Sequence, residues 1–331
     1  MISRQFHFLA FLCLAGSAAA QTGVPYAFGD PDGNEQGYIE RINRARRDPV
    51  AEGVRLAATT HPGILYAYGY YKVNLTMMKA ELAVLPAQPP LVPNAGLMAS
   101  ARGHSEWMFA NAQQAHDQPG GKTFIQRITS VAYPYSLVGE NVFAYGMDEE
   151  DVHAGFEVDW GPGGTGGMQA GRTHRANNHS SVFREIGIGL VKGSRTVNGN
   201  TVGPEILTQD FGAQGNSPVF GTGVAYYDLD GDNFYAAGEG IAGLTVGVDG
   251  AEGFCLTARG GGWVLPVPAT AATRAVTFSW QGTDRTVDLN VPANANAKAD
   301  LKLAYTAPGI TSSSQATAGI PHLLALAEGS T

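Results

Sequence analysis

Acidic side chains recur at alternate positions at the start of one short stretch of the chain, between residues 228 and 239. Numbered as a twelve-residue loop, the stretch has acids at positions 1, 3, 5 and 12, which are Asp228, Asp230, Asp232 and Glu239. Carboxylates at this spacing bind calcium, with Glu239 able to use both oxygens and with the main-chain carbonyl of Phe234 as a further ligand. Position 6 is Asn233, which tolerates the left-handed backbone that glycine usually provides there. The sequence therefore predicts a calcium-binding loop.

The residues on either side of this loop predict β-strands, whereas an EF-hand calcium site needs helices. Residues 221–227 and 240–248 are rich in β-branched and aromatic side chains, which favour strands. A calcium loop between strands resembles the SdrD B-type and related Cna-B-like modules of bacterial surface proteins. The resemblance implies an ion that stabilises the fold. The residues themselves favour a cation, because neighbouring carboxylates repel one another unless a cation neutralises them. The alternative is an acidic surface turn without a metal.

A second group of motifs follows a fixed order in the first two thirds of the chain. The motifs are HSEWM from His104, an isolated His116, VGEN from Val138, HRAN from His174 and TQDFG from Thr208. In this order they resemble the CAP superfamily, also called SCP-like, in its bacterial form, over residues 38–212. The resemblance implies an α+β fold in which a three-layer αβα sandwich carries a central cleft.

The same resemblance implies which side chains line that cleft, since the family usually presents two histidines and two acids there. His116 matches the first histidine, Glu140 the acid of the GEN motif and His174 the second histidine. Asp159 stands at the position of the remaining acid, where the family usually has glutamate. The shorter side chain leaves Glu157 as the alternative.

Two neutral imidazoles beside carboxylates can bind a divalent ion, so His116 and His174 are candidate zinc ligands. Two nitrogen ligands leave the metal open, and the cleft would then be a metal-assisted peptidase or esterase with Glu140 as general base. The alternative is a hydrogen-bonded network that holds helices on the sheet without a metal.

Other catalytic motifs do not fit the sequence. It has no HExxH segment, and GHSEW has Trp107 where a nucleophile elbow needs its second glycine. The glycine-rich segment 161–171 lacks the GK[ST] ending of a phosphate loop, and we interpret it as a flexible lip over the cleft. His104 and His153 are expected to be surface or packing residues, and His179 a loop residue.

Hydrophobic periodicity predicts the elements that must position these side chains. Helices are expected within residues 39–57, broken at Pro49, within 91–116, which holds the longest, and within 148–160. Strands at 186–191 and 201–211 are joined by an Asn-Gly turn in a hairpin. Six further short strands after residue 219 predict a small all-β sandwich, Ig-like or prealbumin-like.

The ends of the chain and its charge indicate its location. Residues 1–20 have a basic start, a short apolar run and small residues before Gln21, the pattern of a secretory signal peptide. The predicted organisation is signal peptide 1–20, linker 21–37, CAP-like domain 38–212, linker 213–218, β-sandwich module 219–305 and low-complexity tail 306–331. No later stretch has the roughly 18 apolar residues of a transmembrane helix. The net charge of −8 argues against nucleic acid and anionic membranes as partners.

Three functions follow from these expectations for a protein that is secreted, extracellular or periplasmic. The first is a non-catalytic binding or interaction protein whose cleft recognises a lipid, peptide or glycan, with the β module as a calcium-stiffened spacer. The second is the metal-assisted hydrolase. The third is a structural envelope component attached through its tail.

Overall fold

The computed structural model describes residues 23–305. The predicted signal peptide and the predicted tail lie outside the described residues. Helices occur before residue 179 and strands dominate afterwards, so the chain has the predicted α+β composition. No helix between residues 23 and 305 is long and apolar enough to cross a membrane.

The chain enters its first helix through a strong capping signal. The side chain of Asp32 accepts hydrogen bonds from the main-chain N–H groups of Asn34 and Glu35, and the Glu35 side chain accepts from the N–H of Asp32. This reciprocal arrangement starts α1 (Gly33–Arg47) earlier than hydrophobic periodicity predicts. The break before Pro49 is confirmed, because Asp48 ends α1 and caps the next helix.

Three short helices follow, and two of them were not predicted. They are α2 (Pro49–Ala57), α3 (Pro62–Tyr71) and α4 (Leu75–Ala83). The predicted long helix is α5 (Ala95–Asn111), and α6 (Phe124–Ser130) comes next. The acidic segment forms α7 (Glu149–Ala154), which continues as a π-helical turn over Gly155–Asp159. A 3-10 turn at Ala170–Arg172 leads into α8 (Thr173–Asn178).

Four strands form the sheet that carries these helices. They are β1 (Val92–Pro93), β2 (Tyr135–Gly146), β3 (Glu185–Lys192) and β6 (Glu205–Gln214), in the order β1-β3-β6-β2. Alternate residues of β3 face opposite sides of the sheet. Gly187 and Gly189 adjoin the backbone of α5, whereas Ile186 and Ile188 join a core with residues of α1 and α7. Helices therefore cover both faces.

A small hairpin extends the connection between β3 and β6. It consists of β4 (Arg195–Val197) and β5 (Asn200–Val202). Asn198 and Gly199 between them both have positive φ, at 51° and 84°, as a type I′ turn requires. The predicted hairpin turn is confirmed, and β3 and β6 continue the antiparallel pairing beyond it.

Eight strands make up the remainder of the described chain, of which six were predicted. They are β7 (Val219–Asp228), β8 (Thr245–Val248), β9 (Cys255–Leu256), β10 (Gly262–Val267), β11 (Ala272–Trp280), β12 (Thr283–Val291), β13 (Ala297–Lys298) and β14 (Leu301–Ala304). One sheet has the order β10-β7-β13, with β14 also paired to β7, and the other has the order β12-β11-β8-β9. Side chains of both sheets share one core, in which the rings of Trp263 and Phe278 meet edge to face at 6.0 Å.

Helix α1 lies against this β region. The Tyr235 hydroxyl donates a hydrogen bond to the carbonyl of Gly33 at 3.2 Å, and Lys298 forms an ion pair with Glu40 at 2.9 Å. The same helix therefore contacts both the four-stranded sheet and the strands that follow it.

Candidate functional site

His116 follows α5 and is oriented by a buried acid of the central sheet. Its Nδ1 lies 2.9 Å from Oε1 of Glu140 on β2, while Arg127 of α6 donates to the other carboxylate oxygen. Arg127 also donates to the main-chain carbonyl of His116 at 2.7 Å. The hydrogen bond to Glu140 raises the pKa of His116, against the opposing effect of partial burial. The imidazole is 57% exposed, so its position is fixed while its ring remains accessible.

His174 is oriented in the same way at the start of α8, and its partner is Asp159. Its Nδ1 lies 2.8 Å from Oδ1 of Asp159, and its main-chain N–H donates to Oδ2 at 3.0 Å. Asp159 ends the π-helical turn, is fully buried and has a φ of 58°. This left-handed residue at the end of a π turn brings the short carboxylate to the beginning of α8, so the aspartate reaches the histidine.

Glu157, the alternative acid, has a different partner. Its carboxylate binds Nε2 of His179 and the side-chain N–H of Asn178, each at 2.8 Å. Burial acts to raise the pKa of Glu157, but the charge and hydrogen bond of His179 outweigh it and lower the pKa. Glu157 therefore attaches the end of α8 to the π turn, and His179 is a buried residue just after α8.

The asparagines of the GEN and HRAN motifs connect the two histidine–acid pairs. The side-chain N–H of Asn177 donates to Oδ1 of Asn141 at 2.8 Å. Asn141 in turn donates to the side-chain oxygens of Gln209 and Asn178, at 3.0 and 3.2 Å. Motifs that lie far apart in the sequence thus meet in one polar network between β2, β6 and α8.

The cleft residues do not assemble a set of metal ligands. Within residues 23–305, the only three or more His, Cys, Asp or Glu side chains whose ligand atoms lie within 4.8 Å of one another are Asp228, Asp230 and Asp232. His116, Glu140, Asp159 and His174 form no such group. This arrangement does not fit a closed zinc site, which needs about four converging ligands.

The predicted calcium loop brings its first three acids together. Asp228, Asp230 and Asp232 converge as described, and Asn233 has the left-handed φ of 65° that position 6 requires. Oxygen ligands of this kind suit calcium. Glu239 lies apart from the three aspartates, because its two oxygens accept hydrogen bonds from the N–H groups of Leu229 and Ala236, each at 2.8 Å. In this conformation the carboxylate of Glu239 closes the loop by accepting hydrogen bonds from main-chain N–H groups of the loop.

A lysine that the sequence analysis missed contacts this loop. The Lys302 ammonium lies 3.4 Å from Oδ2 of Asp228 and also donates to the side-chain oxygen of Asn233. Lys302 is on β14, which pairs with β7 only in the folded chain. No local pattern in the sequence could have indicated this contact.

Asp210 is a second residue whose environment was not foreseen. It belongs to the TQDFG motif and lies opposite Glu140 in the register of β6 and β2. The side chain is fully buried, and neither carboxyl oxygen has a hydrogen-bond partner in the described part of the chain. Burial, followed by the charge of Glu140, raises the pKa of Asp210 well above its ordinary value. The sequence held one sign of this environment, since Asp210 is an acid within a strand that is otherwise expected to be buried.

A family profile matches part of the chain. Residues 85–211 match the sequence profile of the CAP family, described as the cysteine-rich secretory protein family. No protein of curated function matches the chain. The matched residues include both histidine–acid pairs of the cleft.

Three solved structures are similar to the chain at low identity. An extracellular protein containing an SCP domain from Bacillus anthracis str. Ames has 21% sequence identity and a TM-score of 0.30, over 45% of this chain and 40% of that protein. An outer surface protein of Borrelia burgdorferi has 17% identity and a TM-score of 0.30, over 47% of this chain and 96% of that one. Venom allergen-like protein 4 of Schistosoma mansoni has 15% identity and a TM-score of 0.23, over 47% and 91%.

The profile match agrees with the order of the GEN, HRAN and TQDFG motifs in the sequence. The central sheet and α8 bring these motifs close together. Glu140 lies on β2, Asp210 on β6 and His174 at the start of α8. Residues 85–211 therefore match the CAP family in sequence and in the order of these motifs.

Proposed function

We propose that the chain is a secreted, non-catalytic binding protein whose CAP cleft recognises an extracellular lipid, peptide or glycan. The observation that supports this function is the matched pair of anchored histidines. Each histidine has its own buried acid, with Nδ1 of His116 bonded to Glu140 and Nδ1 of His174 bonded to Asp159. Each ring therefore has its Nε2 available to donate to or accept from a ligand. Preorganised polar groups of this kind lose little conformational freedom on binding.

The alternative, a metal-assisted hydrolase, has less support from the geometry. That mechanism needs a metal held by several converging ligands beside an open position. The four cleft residues do not bring three ligand atoms within 4.8 Å of one another. The anchoring acids are also occupied, since Glu140 binds both His116 and Arg127. Both of its carboxylate oxygens are therefore already hydrogen-bonded, and neither is free to accept a proton from water as a general base must.

We further propose that residues 219–305 form a calcium-stiffened β-sandwich module. The convergence of Asp228, Asp230 and Asp232 and the left-handed turn at Asn233 support a calcium ion in the loop. Its role would be structural, because the loop follows β7, the strand to which β10, β13 and β14 all pair. The proposed secretion rests on the signal-peptide pattern of residues 1–20.

The first experiment measures the metals that co-purify with the chain in the absence of chelators. Mass spectrometry compares the wild type with His116→Ala/His174→Ala and with Asp230→Ala/Asp232→Ala. We expect calcium in the wild type and in the histidine variant, and its loss in the aspartate variant alone. Stoichiometric zinc lost only from the histidine variant would instead favour the hydrolase.

The second experiment tests recognition directly. The wild type and the histidine variant are applied to arrays of lipids, peptides and glycans, with Asp284→Ala, a substitution at an exposed β12 residue, as control. Binding that the histidine variant loses and the control retains is the expected result. Equal binding by all three proteins would exclude the cleft as the recognition surface.

A further inference from the structure

A pocket separate from the CAP cleft lies where α1 meets the β region. Its volume is about 420 Å³, and its walls come from α1, the segment before β1, the calcium loop and the chain around β13. We call it the junction pocket. Its size falls within the roughly 300–1,000 Å³ that is usual for small-molecule sites. None of the cleft histidines lines it.

An ionic group of two carboxylates and one ammonium lines the junction pocket. Lys298 forms ion pairs with Glu40 at 2.9 Å and with Asp300. The second oxygen of Glu40 accepts from Gln36 at 2.8 Å, and Asp300 also accepts from the N–H of Val224 at 2.9 Å. Both carboxylates are thus hydrogen-bonded. The ammonium of Lys298 has three N–H donors, of which one remains available to a ligand.

The remaining polar groups of the pocket are mostly donors. Arg44 is paired with Glu52 outside the pocket, whereas Arg47 makes no hydrogen bond or ion pair with any residue between 23 and 305. The side chain of Asn290 accepts from Thr273 at 2.7 Å through its oxygen, which leaves its N–H₂ group free to donate. A pocket of this character is complementary to a ligand that offers acceptor oxygens.

Aromatic side chains supply the apolar part of the same pocket. Tyr226 and Tyr235 meet edge to face at 5.9 Å, and the ring of Phe234 lies 4.5 Å below the guanidinium of Arg44. Tyr226 and Tyr235 are only 5% and 2% exposed, so the half-buried Phe234 is the ring that a ligand can reach. An aromatic side chain packs well against another ring. Of the cations that line the pocket, Lys298 pairs with two acids and Arg44 pairs with Glu52. Arg47 is therefore the lining cation without a partner among the described residues. In a chain of net charge −8, this cation is a specific point of attraction for an anion.

We propose that the junction pocket binds a small ring-bearing molecule through a single carboxylate, with Arg47 as its charge partner and Phe234 in its apolar wall. Arginine suits this role because its planar guanidinium binds a carboxylate through two parallel hydrogen bonds. The chemistry is shared by sugar acids and by aromatic acids. The site is independent of the cleft and of any ligand bound there.

Calorimetry on the full chain tests the proposal with four probes. Glucuronate is compared with glucose, and phenylacetate with 2-phenylethanol, so that each carboxylate has a neutral analogue of similar shape. We expect at least one carboxylate to bind about tenfold more tightly than its analogue. Binding of glucuronate alone assigns the site to sugar acids, and binding of phenylacetate alone assigns it to aromatic acids.

Two variants locate the binding. Arg47→Ala removes an exposed side chain and is expected to weaken carboxylate binding by about tenfold. The control Arg285→Ala removes the same charge from exposed β12, and His174→Ala alters the cleft; both are expected to bind as the wild type does. No binding of either carboxylate, equal binding of acid and analogue, or unchanged binding by Arg47→Ala would each overturn the proposal.

Discussion

Asp210 and Glu140 face each other across neighbouring strands, so two carboxyl groups occupy one buried space beneath His116. Glu140 is compensated by His116 and Arg127, whereas the Asp210 oxygens have no hydrogen-bond partner within the described residues. Two adjacent buried carboxyl groups cannot both ionise without a large cost. Asp210 is therefore the member of the pair that keeps its proton.

This assignment predicts that Asp210→Asn stabilises the protein near neutral pH. The folded state holds a proton on Asp210 that the unfolded chain has released, so the free energy of unfolding falls as pH rises above the ordinary aspartate pKa of about 3.9. Asparagine removes this penalty, and we expect a gain of about 1–2 kcal/mol at pH 7 that shrinks towards pH 4. Urea unfolding of both proteins across this pH range measures it.

The control for this measurement is Asp284→Asn, at an exposed position on β12. It should change the stability by less than about 0.5 kcal/mol at any pH. A destabilised Asp210→Asn at pH 7 would mean that Asp210 is ionised in the folded protein.

A second prediction concerns two histidines, His116 and His104, whose pKa values shift in opposite directions. The hydrogen bond to Glu140 raises the pKa of His116, while burial lowers the pKa of His104. His116 should therefore titrate at a higher pH than His104, and its stabilising contribution should be complete below about pH 6.5 and lost as pH rises through its folded pKa. NMR titration of the ring protons, assigned with His116→Gln and His104→Gln, gives the order. The reverse order would contradict the Glu140 contact.

The sequence predicted the motifs of the cleft but not the groups that surround them. The spacing of GEN and HRAN identifies Glu140 and His174, because those residues lie in recognisable local patterns. Asp210 and Lys302 act through contacts between elements far apart in the chain. Arg127 acts through a contact between two consecutive elements, α6 and β2, which no local pattern indicates. Only the strand order and the helix packing bring such residues to their partners.

The same limit applies to the boundaries of elements. Asn198-Gly199 was predictable because a type I′ turn depends on two adjacent residues alone. Helices α3 and α4 were not, because their apolar residues do not follow one clear helical stripe. Strands β13 and β14 were missed since they are only two and four residues long and pair in parallel with the distant β7.

The position of Lys302 predicts how strongly the proposed calcium loop binds its ion. Its ammonium lies beside Asp228 and competes with a cation for the same carboxylate. Lys302→Met keeps the apolar stem of the side chain and removes the charge, so calcium affinity should rise about tenfold. Calorimetry with calcium measures the change. The control is Lys122→Met, at an exposed position more than a hundred residues before the loop in the sequence, and it should leave the affinity unchanged. An unaltered affinity in Lys302→Met would show that the ammonium moves away at no cost.

The last prediction tests the close packing of α5 on the central sheet. A Cβ atom at Gly187 would overlap the backbone of Leu97 and Met98. Because these are backbone atoms, movement of a side chain cannot relieve the overlap. Gly187→Ala should therefore lower the free energy of unfolding by about 2–4 kcal/mol, because α5 must move off β3. Gly103→Ala is the matched control on α5, since no atom lies within 4 Å of its Cβ position, and it should stabilise the helix by about 0.5–1 kcal/mol. If the two substitutions change the free energy of unfolding in opposite directions, the close approach of the α5 backbone is what requires glycine in β3. If Gly187→Ala leaves the stability unchanged, α5 lies farther from the sheet.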